Sequence, residues 1–224
     1  MVELTPVKVW DLPVRVIHWL LVLLVGLSWA TAELDLLPLH HYSGYLILTL
    51  VIVRIIWGFF GSTTARFSHF LKRPAAIKAY ARQILRCGAS VRIGHNPLGG
   101  LSVVALLGLL ALQAGLGLFA QDSDGLAPGP LADLLTRQVG RAVAEAHEVV
   151  FNVLLIFIAV HIGAVLFYVC YKGEGLIRPM FTGRKMLSVD AAAAPQPDLT
   201  FVRGKWAILI IIIAAAFIAL LVGA

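Results

Sequence analysis

Two histidines lie within one long apolar segment of the chain. His147 and His161 are fourteen residues apart in EAHEVVFNVLLIFIAVHIGAVLFY, residues 145–168. An ionisable side chain in such a segment is costly and indicates a functional role. In an α-helix fourteen residues rise about 21 Å and place the two side chains about 40° apart, on nearly the same face. The imidazoles therefore belong to two sites at different depths. One mononuclear zinc ion cannot bind both, since its ligands lie about 2 Å from the metal.

Long apolar segments must position these histidines. The chain has 224 residues, 60% hydrophobic and 13% charged, whereas a soluble domain is about 45–50% apolar and about 25% charged. A helix needs about 20 apolar residues to cross a bilayer, and strands of a membrane β-barrel are much shorter. The sequence predicts five such helices: Val14–Ala32, His40–Phe60, Pro97–Phe119, Ala144–Tyr171 and Lys205–Val222. We therefore expect an all-α integral membrane protein, a single bundle with a fifth helix added at its end.

The net charge of +6 indicates membrane topology, and it requires no nucleic-acid surface. Seven Lys or Arg lie between the second and third helices and six follow the fourth helix, up to and including Lys205, but none separates the first helix from the second. Only two separate the third from the fourth. This alternation follows the positive-inside rule. It predicts a cytoplasmic N-terminus and a C-terminus on the outside.

The first apolar segment has a second interpretation, a cleaved signal peptide. Lys8 and Arg15 precede it, and Ala30-Thr31-Ala32 resembles a cleavage site. The acidic Asp11 before the apolar run and the polar His18 inside it favour a retained helix.

Two further histidines match His147 and His161 in depth. On the predicted topology His18 lies near the inner end of the first helix and His40 at the outer start of the second. His18 is then level with His161, and His40 with His147. Two pairs of neutral imidazoles in a bundle are what two six-coordinate haems require. The alternative is that these histidines only hydrogen-bond neighbouring helices. His41 lies about 100° around the helix from His40 and cannot replace it without a rotation.

Other polar and small residues leave alternatives open. His69 lies in a basic loop, where solvation explains it. His95 opens the third helix, either as an interfacial polar residue or as a group near a haem propionate or a quinone. Five glycines either make room for a porphyrin or allow close helix packing; they are Gly26, Gly44, Gly108, Gly115 and Gly163.

The loops and the two cysteines allow further predictions. Residues 66–92 are basic and partly amphipathic, which predicts a helix on the inner membrane surface or a docking patch for a cytoplasmic protein. Residues 188–200 have the composition of a flexible linker. Cys87 and Cys170 fall on the predicted cytoplasmic side, so we expect no disulfide. No C-x-x-C-H motif occurs, which excludes covalent c-type haem attachment.

Four stretches of the chain, within residues 7–186, resemble the bacterial cytochrome b561 family, which is related to the b-type cytochrome subunit of nickel–iron hydrogenases. They are VWDLPVRVIHWLLV, HHYSGYLILTLVIVRIIWG, GHNPLGGLSVVALLGLLALQAGLGLF and AHEVVFNVLLIFIAVHIGAVLFYVCYKGEGLIRPMFTGRK. The resemblance implies a four-helix core at 1–186 that holds two b haems. Residues 187–204 are then a linker and residues 205–224 an additional transmembrane helix, which departs from the four-helix core.

The resemblance also implies the haem ligands. The R-x-x-H-W setting of the first helix matches His18. The H-x-x-x-G setting of the second matches His40 with Gly44, which favours His40 over His41. The fourth-helix ligands match His147 and His161. The inner haem iron is thus expected between His18 and His161, and the outer one between His40 and His147.

The function implied is electron transfer across the bacterial inner membrane, between quinone and a periplasmic redox protein such as a c-type cytochrome or a hydrogenase-like subunit. His95 and Asn96 are then candidates for the quinone side, and Arg15 and Arg54 for propionate contacts. Some family members pass electrons from a small donor such as superoxide to ubiquinone, although acidic or balanced outer loops do not attract an anion. A scaffold without haem is the third alternative. The oligomeric state stays open, a dimer included.

Overall fold

The computed structural model describes residues 4–84, 93–121, 128–188 and 198–223. Five of its helices are long and apolar enough to cross a membrane, as the sequence predicts. They are α1 (Leu12–Glu33), α2 (Leu37–Phe60), α5 (Pro97–Phe119), α6 (Arg137–Cys170) and α8 (Lys205–Gly223). The shorter helices are α3 (Phe67–Phe70), α4 (Pro74–Gln83) and α7 (Ile177–Thr182).

Side-chain caps fix where three of the long helices begin. Asp11 caps α1 by accepting a hydrogen bond from the Val14 N–H at 2.9 Å. Asn96 caps α5, and Thr136 caps α6. A cap satisfies backbone N–H groups that have no partner inside the helix. Because of the Thr136 cap, α6 begins at Arg137, two turns before the start that hydropathy predicts.

Helix α2 lies at the centre of the bundle. Helices α1, α5 and α8 pack against it, and α6 packs against α5. One buried cluster joins α2, α5 and α6 at mid-depth through Ile47, Val51, Leu110 and Leu154. A second cluster joins α1, α2 and α8, and it includes Ala214 of the fifth long helix. The fifth helix is thus an integral part of the packed bundle.

A two-stranded sheet departs from the all-α expectation. Strands β1 (Leu4–Lys8) and β2 (Arg184–Ser188) pair antiparallel. The four long helices α1, α2, α5 and α6 lie between the two strands in the chain. The pairing brings both ends of this four-helix segment to one end of the bundle, which we call the sheet end.

The start of α8 also lies at the sheet end. The Thr63 N–H donates to the Thr200 carbonyl at 2.9 Å, and the Val202 N–H donates to Ser62 Oγ at 3.0 Å. The expected linker, 187–204, therefore begins inside β2 and ends in contact with the turn after α2. Its middle part, 189–197, lies outside the described residues, as do residues 85–92, which include Cys87.

The basic segment after α2 forms α3 and α4 within its described part. Helix α4 has no buried residue. It is joined to α6 by a hydrogen bond of 2.9 Å between the hydroxyls of Tyr80 and Tyr168. This agrees with a surface helix at the sheet end of the bundle.

A substitution at Gly58 of α2 tests how closely the side chains pack at this end of the bundle. A Cβ at Gly58 would overlap the Phe67 ring, so we expect Gly58→Ala to lower the free energy of unfolding by about 1–3 kcal/mol. The measurement is denaturant unfolding in detergent micelles. Gly108→Ala is the control, because its Cβ meets no atom within 4 Å. Equal stability of the two variants would contradict the packing, and Phe67→Leu should restore part of the loss in Gly58→Ala.

Candidate cofactor-binding site

His40 of α2 and His147 of α6 face each other away from the sheet end. Their ring centroids are 6.2 Å apart and their planes make an angle of 84°. Two imidazoles that bind one metal ion from opposite sides, with each nitrogen at about 2 Å, have ring centres roughly 6 Å apart. The spacing of this pair therefore fits axial ligation of one haem iron.

Main-chain carbonyls hold both rings of this pair in one tautomer. His40 Nδ1–H donates to the Ser28 carbonyl of α1, and His147 Nδ1–H to the Gln113 carbonyl of α5, each at 2.9 Å. The Gln113 side-chain amide lies 3.0 Å from His147 Nε2, to which it donates. Both Nε2 atoms thus carry a lone pair that a metal could take, which at His147 requires the Gln113 amide to give up its hydrogen bond. Such carbonyl partners orient metal-binding histidines.

His41, the neighbour of His40, lies elsewhere on α2. Its ring is 6.3 Å from that of Tyr45, and 6.2 Å from that of His40 itself. His40 alone of the two is in ring contact with His147 among the described residues. The structure therefore brings together the two residues that the sequence pairs in depth.

His18 and His161 lie nearer the sheet end. They are close enough to interact electrostatically. The His18 ring meets Trp19 edge to face, with centroids 5.0 Å apart. His18 Nδ1 is buried and has no hydrogen-bond partner among the described residues. A buried nitrogen of this kind calls for a ligand or an additional partner.

An apolar layer separates the two histidine pairs. Leu154 lies seven residues from both His147 and His161, and it is buried with Ile47 and Val51 of α2. Among the described residues no three His, Cys, Asp or Glu side chains come together as metal ligands. His147 and His161 are about 21 Å apart along α6, with the His40 ring facing the first and His18 within electrostatic reach of the second.

Open space lies beside all five of the predicted glycines. A Cβ at Gly26, Gly44, Gly108, Gly115 or Gly163 would meet no atom of the described residues within 4 Å. Together with the ring spacing of His40 and His147 and the unpartnered Nδ1 of His18, this space fits a flat macrocycle between the helices. Gly117 has a different role, because its Cβ would lie 3.1 Å from His147 Cε1.

His95 lies between two aromatic rings at the sheet end. Its centroid is 4.6 Å from that of Trp10 and 4.7 Å from that of Phe70. Its Nδ1 is buried without a hydrogen-bond partner in the described part of the chain. Burial, with the positive charge of Arg54, lowers the pKa of His95 to about 3. His95 is also near enough to His161 to interact with it electrostatically, so it lies beside the pair nearer the sheet end.

The two predicted propionate contacts lie at the same end, with carbonyl partners of their own. Arg15 donates to the carbonyls of Phe181 and Asp11. Arg54 is buried, lies over the Phe67 ring at 5.7 Å, and donates to the Ala65 carbonyl at 3.4 Å. Both guanidinium groups therefore connect elements at the sheet end.

The pKa of His95 predicts a pH dependence of stability. Between about pH 6.5 and 3 the unfolded chain binds a proton at His95 and the folded chain does not, so stability falls as the pH falls through this window. The expected slope is about 1.4 kcal/mol per pH unit. His95→Phe should remove this contribution from unfolding curves measured at pH 4 to 6.5. Above pH 7.5 the two proteins should show parallel pH dependence, and parallel curves below pH 6 would contradict the prediction.

Two contacts of the site are absent from the sequence interpretation. Ser28 and Gln113 contact the imidazoles of His40 and His147. Gln113 could have been identified from the sequence, because it is the only amide side chain inside the apolar α5 and polar residues within membrane helices are functional candidates. The backbone carbonyls of Ser28 and Gln113 could not, since every residue has one.

Comparisons with known proteins identify the family of this chain. A family model described as prokaryotic cytochrome b561 matches residues 9–183. A probable Ni/Fe-hydrogenase B-type cytochrome subunit of Azotobacter chroococcum mcd 1 is 24% identical to this chain in an alignment of length 220. The match covers 83% of this chain and 91% of that protein. No solved structure matches the chain. The family match spans all four histidines and confirms the resemblance predicted from the motifs. The chain therefore belongs to the prokaryotic cytochrome b561 family, multi-pass membrane proteins that bind haem b and transport electrons.

Proposed function

We propose that this protein transfers electrons across the bacterial inner membrane, between a quinone in the bilayer and a redox protein on the periplasmic side. The observation that carries the proposal is the His40–His147 ring pair, 6.2 Å apart, supported by the electrostatic proximity of His18 and His161 nearer the sheet end. Haem b, when bound, supplies one-electron redox chemistry. Each histidine pair would hold one such group, at two depths about 21 Å apart along α6.

The chain's residues have distinct roles in this proposal. His18 and His161 hold the inner haem iron, and His40 and His147 hold the outer one. The carbonyls of Ser28 and Gln113 fix the Nδ1–H tautomer of the outer pair. The apolar layer around Leu154 keeps water out of the space between the two pairs.

The charge pattern supports a cytoplasmic sheet end. Basic residues are concentrated in the segments that meet there, after α2 and after α6. The N-terminus is then cytoplasmic, and α8 takes the C-terminus to the periplasmic side. We propose a di-haem domain at 1–186, a linker at 187–204 and an additional membrane helix at 205–224.

The quinone is proposed to bind near the inner pair. His95 is neutral at physiological pH because of its lowered pKa, so its ring can exchange a hydrogen bond with a quinone oxygen. Asn96 is next to it at the start of α5. Arg15 and Arg54 lie at the same end and are proposed to bind haem propionates by exchanging their present carbonyl partners.

The periplasmic partner is proposed to be a c-type cytochrome or a hydrogenase-like subunit. The relative's name is that of a probable hydrogenase cytochrome subunit, and the match covers most of both chains. This supports a role as the membrane subunit of a larger redox system.

Transport across a sealed bilayer tests the proposal. The haem-loaded protein is placed in liposomes that contain ferricyanide, and dithionite is added outside. We expect the trapped ferricyanide to be reduced much faster than in empty liposomes, and His18→Leu or His147→Leu to abolish the gain. A His69→Leu variant is the control, since His69 lies in the short helix α3, which carries none of the four paired histidines. A haem-loaded protein no faster than empty liposomes would contradict the proposal.

A further inference from the structure

A chain of polar side chains leaves the histidine pair near the sheet end. Tyr168 is seven residues after His161 on α6 and therefore lies on nearly the same helix face, about 10 Å nearer the sheet end. Its side chain is buried. Buried hydroxyls in a membrane helix are costly and mark functional positions.

The Tyr168 hydroxyl joins three elements. It shares a hydrogen bond with the amide side chain of Asn96 at the start of α5. It is 2.9 Å from the Tyr80 hydroxyl of α4. Asn96 uses its Oδ1 to accept from the Gly99 N–H at 2.7 Å, so its NH₂ group is the part that donates to Tyr168. Tyr168 can then donate its own proton to Tyr80.

A buried carboxylate lies beside this chain. The Glu174 side chain is only 7% exposed, and it interacts electrostatically with the Tyr168 phenol. The backbone N–H of Glu174 donates to the Tyr168 carbonyl at 3.0 Å, which holds the two residues together. Glu174 Oε2 is 3.5 Å from Lys185 Nζ on β2. The carboxylate and the ammonium group thus lie where the chain of hydroxyls ends, next to β2.

We propose that Tyr168, Tyr80 and the Glu174–Lys185 pair form a proton-transfer site that exchanges quinone protons with the solvent at the sheet end. This inference rests on the quinone site proposed beside His95 and Asn96. Oxidation of one quinol breaks two O–H bonds and releases two electrons and two protons. The two electrons need a one-electron acceptor that takes them in two transfers, which haem b held by His18 and His161 would supply when bound. The protons leave through the tyrosine hydroxyls toward Glu174 and the surface. Quinone reduction takes up two electrons and two protons, and the protons then move in the opposite direction.

A purely structural role predicts a different result. The Tyr80–Tyr168 bond also attaches α4 to the bundle, and its loss would then change stability but not proton movement. Tyr168→Phe and Glu174→Gln keep the side-chain size while removing the transferable proton or the charge. Glu174→Asp keeps the carboxylate.

The experiment follows haem absorbance and a pH-indicator dye together in a stopped-flow instrument. Oxidised protein is mixed with decylubiquinol, and dithionite-reduced protein with decylubiquinone, so that either direction of electron flow is observed. We expect Tyr168→Phe and Glu174→Gln to slow both signals by about 10²-fold, with Glu174→Asp recovering most of the rate. Tyr42→Phe at the far end of α2 should behave as the wild type, and dithionite should reduce all variants equally.

The outcomes separate the inference from the function on which it rests. Wild-type rates in both Tyr168→Phe and Glu174→Gln would overturn the proton-transfer site and leave the quinone function standing. Slowing of the dithionite reaction to the same extent would also overturn it, because the variants would then have disturbed the haem sites. A wild-type protein that exchanges electrons with neither quinone form would overturn the quinone function, and the inference with it.

Discussion

Replacing His147 by leucine is expected to remove one of two haems and to leave the other unchanged. His147 faces His40 with the rings 6.2 Å apart, and leucine offers no lone pair to iron. The apolar layer at Leu154 separates this pair from His18 and His161, so the second site should keep its spectrum. The measurement is haem content per chain with a reduced-minus-oxidised spectrum of the purified variant.

Double variants make this prediction specific. His40→Leu combined with His147→Leu should lose no more haem than either single variant, because both residues belong to one site. His18→Leu combined with His147→Leu should lose both haems. His41→Leu is the matched control, one residue from His40, and should retain two haems. Loss of a haem in His41→Leu but not in His40→Leu would contradict the assignment.

Replacing Asp11 by alanine is expected to lower the free energy of unfolding by about 2–4 kcal/mol. The Asp11 carboxylate is buried and has two partners: the Val14 N–H that it caps, at 2.9 Å, and Trp57 Nε1–H of α2, at 2.8 Å. Alanine removes the cap and leaves the N–H of the buried Trp57 without a partner. The measurement is denaturant unfolding in detergent micelles.

An exposed aspartate provides the control for this change. Asp133 is exposed in the short turn after residue 131, so Asp133→Ala should change stability by less than about 0.5 kcal/mol. Asp11→Asn retains an acceptor oxygen and should recover part of the loss. Equal stability of Asp11→Ala and Asp133→Ala would show that the contacts of Asp11 do not hold α1 against α2.

Hydropathy predicts the long helices because each must be apolar over the thickness of a bilayer. The third helix is predicted with the bounds it has, Pro97–Phe119, since Asn96 and Pro97 mark its start. The early start of α6 is missed, because Arg137, Gln138 and Arg141 interrupt the apolar pattern there and only the Thr136 cap indicates it. The β1–β2 sheet is missed for another reason: its strands are about 180 residues apart, and pairing over such a distance leaves no local pattern.

The histidine pairs are predictable from residue type and spacing because helix geometry converts fourteen residues into a depth and a direction. The hydrogen-bond partners of the imidazoles are not predictable in this way. The Ser28 and Gln113 carbonyls belong to the backbone, and any residue at these positions supplies the same acceptor. The contacts of Tyr168 with Tyr80 and Glu174 depend on how α4 and the chain after α6 fold back onto the bundle.

Haem stoichiometry of the wild-type protein tests the central claim most directly. The chain is purified after expression with ample haem supply, and haem is quantified against protein together with oxidised and dithionite-reduced spectra. The two histidine pairs predict two low-spin b haems per chain. A single haem per chain would contradict the two-site arrangement, and a chain without haem would contradict electron transfer as its function.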